Sequence, residues 1–215
     1  MKRLILLMIT CYCLLPGHAN TDIASDSLLQ VLQTLPHDTT RLSTLNDIIK
    51  IEQNNYKCIQ YSDTLMQEAL KLKNDKYASL AAYYHLLYYY NRSEQDSVAK
   101  WIVRMEPYVQ RSGLWDYFFD AQRFQIDLYT FTEQYELAIS EANKMKQKAL
   151  NTNSNRGTVA AYQCLSNAYI GSQRWDEGLK ALEEAYRLLP KKGNAVVHIS
   201  VLSQLISVTK EMKDN

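Results

Sequence analysis

Between residues 159 and 190, large and small residues recur at the spacing of two consecutive amphipathic helices. A small residue in each half, Ser166 and Gly178, marks the point where two antiparallel helices are expected to cross closely. Pro190 is expected to end the second helix, because proline has no amide hydrogen and cannot continue the turn. The large residues expected to fill the space beside the crossing are Tyr162, Leu165, Tyr169 and Leu182. This pattern predicts a helical hairpin.

The same spacing recurs upstream and predicts four such hairpins with a period of about 40 residues. Small residues stand at the crossing position of the second helix, at Cys58, Ala99, Ala138 and Gly178. These four positions are nearly evenly spaced along the chain. A matching position of the first helix holds Ile49, Tyr90, Tyr129 and Tyr169.

The hairpin at 159–190 resembles the tetratricopeptide repeat (TPR), a family of stacked helix pairs with about 34 residues per unit. It carries the large, small, alanine and proline residues of the family pattern in register, including Ala185. The other units depart from the pattern at Asn46, Leu87, Glu106, Gln122 and Gln125. The resemblance implies an all-α fold, a right-handed superhelical solenoid of stacked antiparallel helix pairs over residues 38–215, after a lead-in at 20–37. The longer period is expected to lengthen the second helices or connections such as residues 151–157.

Hydroxyl residues follow the first helix of three units, at Ser93, Thr132 and Ser172. Serine and threonine are favoured helix N-caps, because the side-chain oxygen accepts a hydrogen bond from a free backbone N–H. We therefore expect them to cap the second helices.

The last segment, residues 195–215, repeats the spacing of a first helix, with Leu202, Leu205 and Ile206 at core positions. It is either the solvated cap that stacked repeats require or the first half of a further unit in a longer chain. Because the helix is rather apolar for a cap, we expect it to offer a surface for self-association.

Composition agrees with a helical globular protein. The 215 residues include only 6 glycines and 4 prolines, while 47% are hydrophobic and 22% are charged. The formal net charge of +1 gives no basic stripe of the kind that binds nucleic acid, so no nucleic-acid partner is expected.

Residues 1–19 have the layout of a cleaved signal peptide: Lys2 and Arg3, an apolar run from Leu4 to Leu15, and small residues before a cleavage site after Ala19. The run is shorter than the roughly 20 residues of a membrane span. We expect export, most simply to a periplasm, with no membrane span in the mature chain; a retained N-terminal anchor is the alternative. Cys58 and Cys164 fall in different units and are expected to be small buried residues rather than a disulfide.

Motifs for nucleotide, zinc or serine-hydrolase chemistry are absent from the sequence, and the histidines have no second ligand at metal-binding spacing. No catalytic residue, metal or cofactor is therefore predicted.

In the TPR family, the first helices line a concave groove. The resemblance places two residues of each first helix there, one helical turn apart. They are Ser43 and Asp47, Tyr84 and Tyr88, Arg123 and Asp127, and Gln163 and Asn167. The alternative for Arg123 and Asp127 is a simple ion pair across one turn.

These features predict an exported helical-repeat scaffold that binds a protein or peptide through its groove. The chain also resembles the exported TPR regions of signalling proteins of Bacteroidetes-type bacteria, so the second hypothesis is the extracytoplasmic input region of a histidine kinase or transcriptional regulator. The third is an enzyme, such as a hydrolase using a tyrosine or acidic residue of the groove.

Overall fold

The computed structural model describes residues 18–52, 56–189 and 195–214, with side chains from Ser25 to Met212 within these ranges. This part of the chain forms ten α-helices and no strand, which confirms the predicted all-α class. The helices are α1 (His18–Thr34), α2 (Thr39–Glu52), α3 (Lys57–Lys71), α4 (Asp75–Tyr90), α5 (Gln95–Ser112), α6 (Trp115–Phe131), α7 (Tyr135–Asn151), α8 (Asn155–Gly171), α9 (Trp175–Arg187) and α10 (Ala195–Asp214).

Each helix packs against the next one in the chain, and α2, α4, α6 and α8 also contact one another in series. A core of leucine, isoleucine, alanine and aromatic side chains runs continuously from α1 to α9. This arrangement is compatible with a helical repeat.

The turns between α3 and α9 recur in equal steps along the chain. Each contains one residue in the left-handed backbone region, with φ between 52° and 75°. These residues are Lys73, Ser93, Gly113, Glu133, Asn153 and Gln173. After most helices, the next amide donates to the carbonyl five residues earlier, as from Gln134 to Tyr129 at 2.8 Å, which closes the helix end in a Schellman motif. One helix and one turn therefore make half a repeat, and a pair makes the full period of about 40 residues.

This even period corrects the predicted register of the second unit. The buried crossing positions are Cys58, Val98, Ala138 and Gly178, which are equally spaced. Ala99 is only partly buried, whereas Val98 is fully buried, so the prediction of Ala99 at this position is wrong by one residue. The positions assigned to Leu87 and Glu106 pass to Leu86 and Met105, which are both fully buried. Both are still larger than the small residue and the alanine of the TPR pattern.

The close crossing predicted in the fourth unit is confirmed. A side-chain carbon built on Gly178 would lie 3.4 Å from the carbonyl oxygen of Ser166 and 2.7 Å from Cγ1 of Ile170. The two helices approach each other here because Gly178 has no side chain. Pro190, expected to end α9, lies outside the described residues.

The predicted N-caps are wrong. The hydroxyls of Thr132 and Ser172 donate to carbonyls at the ends of α6 and α8, as from Thr132 to Leu128 at 2.8 Å, and Ser93 is the left-handed residue of its turn. Side-chain caps occur instead at α4 and α8, where Asn74 and Ser154 accept from the backbone. Thr132 and Ser172 therefore bond to carbonyls at the C-terminal end of the preceding helix, which have no partner within that helix.

Residues 1–17 of the predicted signal peptide lie outside the described residues, and the predicted cleavage site after Ala19 falls in the first turn of α1. Residues 20–34 of the predicted lead-in belong to α1, which packs on α2. None of the described helices is long and apolar enough to cross a membrane. Cys58 and Cys164 are buried and free, as expected.

The predicted helix at the C-terminal end is α10. Val201 and Val208 are buried, and α10 packs on α9. Its other side exposes four apolar residues: Val196, Ile199, Leu202 and Ile206. The prediction of Leu202 and Ile206 at core positions is therefore wrong, because they lie on the side of α10 turned away from α9.

Candidate binding surface

Two rows of accessible side chains run along α2, α4, α6 and α8, each with one residue per repeat. The first row is Ser43, Tyr83, Arg123 and Gln163, and the second is Asp47, Leu87, Asp127 and Asn167. All eight are partly or largely exposed, and the two rows lie one helical turn apart, on one side of each helix. We call these eight residues the even-helix face.

The corrected register moves both predicted positions of α4 by one residue, and the structure buries one of the two predicted residues. Tyr84 is 4% exposed, and its hydroxyl donates to Oδ1 of Asn46 at 3.0 Å, so it belongs to the core between α2 and α4. Tyr88 is half-buried, and the guanidinium of Arg92 lies 3.4 Å from the centre of its ring. The one-residue register correction puts Tyr83 and Leu87 in their place.

The sequence prediction missed Tyr83 and Leu87 because it required a small residue at the crossing position of the second unit. That requirement favoured Ala99 over Val98 and shifted the register by one residue. The signal that finds them is the equal spacing of the repeats. The position midway between Cys58 and Ala138 is Val98, so the intermediate unit has its crossing there.

At the α8 end, the predicted residues are already bonded within the protein. Gln163 donates to Oε1 of Gln204 at 2.8 Å and to Oγ of Ser200 at 3.1 Å, and Gln204 in turn donates to Oδ1 of Asn167 at 3.1 Å. The amide of Gln204 therefore joins both rows of α8 to α10.

At the α2 end, Asp47 has a partner on its own helix. Its carboxylate accepts from Nζ of Lys50 at 2.9 Å, and both side chains are about half exposed. This is an ordinary solvated pair of small energetic value.

The middle of the even-helix face carries an aromatic cluster between α4 and α6. Tyr90 stacks on Phe124 with ring centres 4.4 Å apart, and Tyr83 meets Tyr117 edge-on at 5.1 Å. Burial raises the pKa of Tyr83 to about 12, and the nearby carboxylate of Asp120 adds to the shift. Tyr83 is therefore neutral, and the cluster presents aromatic surface together with hydroxyl groups.

Arg123 and Asp127 on α6 do not form the predicted alternative ion pair. Arg123 instead approaches Asp120, with Nη2 to Oδ1 at 4.0 Å, and Asp120 is held more tightly by Arg156 on α8 at 2.7 Å. The Nε atom of Arg123 is buried and has no hydrogen-bond partner. The guanidinium of Arg123 is thus only loosely held.

Within the described part of the chain, no hydrogen bond or ion pair within 4.0 Å involves the carboxylate of Asp127. Burial raises the pKa of this carboxyl from 3.8 to about 6, and the positive charge of Arg123 opposes the shift only in part. Asp127 is therefore a partly buried carboxylate without a hydrogen-bond or ion-pair partner among the described residues.

Repeat geometry explains why Asp127 is unpaired. Cys164 on α8 occupies the place that Gln204 occupies on α10, one repeat later. Gln204 satisfies the polar rows of the preceding even helix, whereas the buried Cys164 thiol is short and a weak donor. Burial and the charge of Asp127 both raise the pKa of Cys164, so the thiol stays neutral.

A separate cavity of about 290 Å³ lies between α8, α9 and α10, lined by Val159, Leu188, Val197 and neighbouring residues. Its lining includes Leu189, the last described residue before the gap at 190–194 in the sequence. Arg156, one of its polar lining residues, is already bonded to Asp120. Among the described residues, no three His, Cys, Asp or Glu side chains converge where they could hold a metal ion.

No protein-family model matches this chain, and no curated protein matches its sequence significantly.

Proposed function

We propose that this chain is an exported TPR-like solenoid that binds a protein or peptide segment on the even-helix face without catalysing a reaction. In this proposal α2, α4, α6 and α8 line the concave side of the stack. The even register of helices and turns and the serial contacts between the even-numbered helices support it.

One observation carries the proposal: polar groups at the same repeat positions are satisfied in α2 and α8 but unsatisfied in α6. Asp47 pairs with Lys50, and Asn167 bonds Gln204, whereas Asp127 has no such partner within the described residues. An unpaired, desolvated polar group lowers the stability of the free protein. A ligand that supplies the missing bond would remove this cost.

The chemistry around α6 suits a peptide or protein surface rather than a small metabolite. Tyrosine and arginine are enriched among residues that dominate interface energies, and Tyr83, Tyr117 and Arg123 lie together here. All three side chains are at least partly exposed.

A peptide selection tests this proposal. Random peptides displayed on phage are selected on the full 215-residue chain, and the affinities of the winners are measured by fluorescence anisotropy. The double variant Arg123→Ala with Asp127→Asn is expected to weaken their binding by about tenfold or more.

The matched control also removes one acidic and one basic side chain, but from an odd-numbered helix: Glu141→Gln with Lys144→Ala on α7. It should leave affinity unchanged, and both double variants should keep the helical circular dichroism of the parent. Equal binding by the parent and the α6 variant would place the binding surface elsewhere.

A further inference from the structure

We propose that the bound segment carries a lysine or arginine side chain whose cationic group pairs with Asp127, beside the aromatic cluster of α4 and α6. This inference rests on the proposed function and specifies the chemistry of its ligand.

The carboxylate of Asp127 has vacant bonding capacity. An ionised carboxylate accepts several hydrogen bonds, and those from an ammonium or guanidinium are the strongest it can receive. Within the described residues no cation lies within 4.0 Å of it, because Arg123 is drawn toward Asp120.

The local charge also favours a cation. Three carboxylates of α6, from Asp116, Asp120 and Asp127, face two guanidinium groups, from Arg123 and Arg156. Three negative and two positive charges give these five side chains a formal net charge of −1, which attracts a cation. Arg156 lies 2.7 Å from Asp120 and 3.8 Å from Asp116, and Arg123 lies 4.0 Å from Asp120. Among the described residues, Asp127 is therefore the one carboxylate of the three without an ion-pair partner within 4.0 Å.

The aromatic surface beside the carboxylate suits an organic cation. Phe124 lies one turn before Asp127 on α6 and stacks on Tyr90, and the charge of Asp127 contributes to the raised pKa of Tyr90 after the larger effect of burial. Ring faces attract ammonium and guanidinium groups, and the stems of lysine and arginine pack well on apolar surface. A small inorganic cation has no apolar stem to pack against these rings.

The experiment compares acetylated peptides that share one selected sequence and differ at a single position, which holds lysine, arginine, norleucine or glutamate. Acetylation removes the terminal amine as a competing cation. Affinities are measured for the full chain, for Asp127→Asn, and for the control Glu141→Gln on α7.

We expect the parent and Glu141→Gln to prefer lysine or arginine over norleucine by about tenfold or more, and Asp127→Asn to lose this preference. Asp127→Asn removes an unpaired, desolvated charge, so its loss of affinity would not reflect unfolding. Peptides that bind the even-helix face without any preference for a cation would overturn this inference alone. A chain that binds no peptide on this face would overturn the proposed function and the inference together.

Discussion

At the residue scale, Asp127 holds a carboxylate in a position that is unfavourable for its charge. Its pKa is about 6 in the folded protein and 3.8 ordinarily. Between these values the folded state binds a proton that the unfolded state does not, so stability rises as the pH falls through this range. At pH 7 the group is ionised in both states and its full cost is present.

Asp127→Asn should therefore stabilise the protein at pH 7, by about 1–3 kcal/mol in the free energy of unfolding. Urea denaturation at pH 7 measures the gain. The control Asp47→Asn, at the same repeat position but exposed and paired with Lys50, should change stability by less than about 0.5 kcal/mol. A destabilised Asp127→Asn variant would mean that the carboxylate has a stabilising partner.

His85 has the opposite effect on acid stability. It is 3% exposed, stacks on Trp101 with ring centres 4.0 Å apart, and lies with Nε2 3.1 Å from Oδ1 of Asp63, without the alignment of a hydrogen bond. Burial lowers its pKa from 6.5 to about 4; Arg104 adds to this, and Asp63 opposes it. The unfolded chain therefore takes up a proton below about pH 6.5 that the folded protein refuses, and stability falls on acidification.

His85→Phe keeps an aromatic ring against Trp101 and removes the titrating group. Relative to its own value at pH 7, the unfolding free energy at pH 5 should be higher in the variant than in the parent by about 1–2 kcal/mol. Paired urea titrations at the two pH values measure this difference. An unchanged pH dependence would show that His85 binds its proton equally well in the folded and unfolded chain.

At the scale of elements, the left-handed residue of each turn sets the register of the helices around it. Gly113 ends α5 with φ of 75°, and a side-chain carbon built there would have no other atom within 4 Å. The backbone conformation is thus the only obstacle to a larger residue at this position.

Gly113→Ala should cost about 1 kcal/mol, the penalty of placing an L-residue in this region. Gly113→Asn should lose less, because asparagine tolerates the conformation better. Thermal unfolding of both variants provides the measurement. Equal stability of the alanine variant and the parent would contradict the left-handed turn.

The helical class and the repeat spacing were predictable from sequence, because core positions recur with the helical period and units recur at an even spacing. The register of the second unit was not, since a run of adjacent tyrosines, Tyr88 to Tyr90, fits a large position equally well at each step. Gln163 is hydrogen-bonded because Gln204 lies on the next even-numbered helix, α10. Asp127 is unpaired because the equivalent residue of α8 is Cys164. Contacts of this kind require the packing of neighbouring units.

At the scale of the whole molecule, Asp47 and Asn167 at the two ends of the even-helix face have hydrogen-bond partners within the protein. Asp127 in the middle has none among the described residues. The exposed apolar side of α10, which includes Ile199 at 63% and Ile206 at 68% exposure, lies on another part of the protein. Self-association through α10 stays a prediction, which sedimentation of the parent and of an Ile206→Lys variant would test. It is independent of ligand binding at α6.

Ligand binding at the middle of the even-helix face is the central claim. A photo-cross-linking amino acid placed at Leu87 on α4, the helix that contacts α6, tests it most directly. The control carries the same group at Val103, which is 72% exposed on the odd-numbered helix α5. We predict that a selected lysine-containing peptide cross-links at position 87 and not at position 103. Equal cross-linking at both positions, or cross-linking at position 103 alone, would contradict the claim.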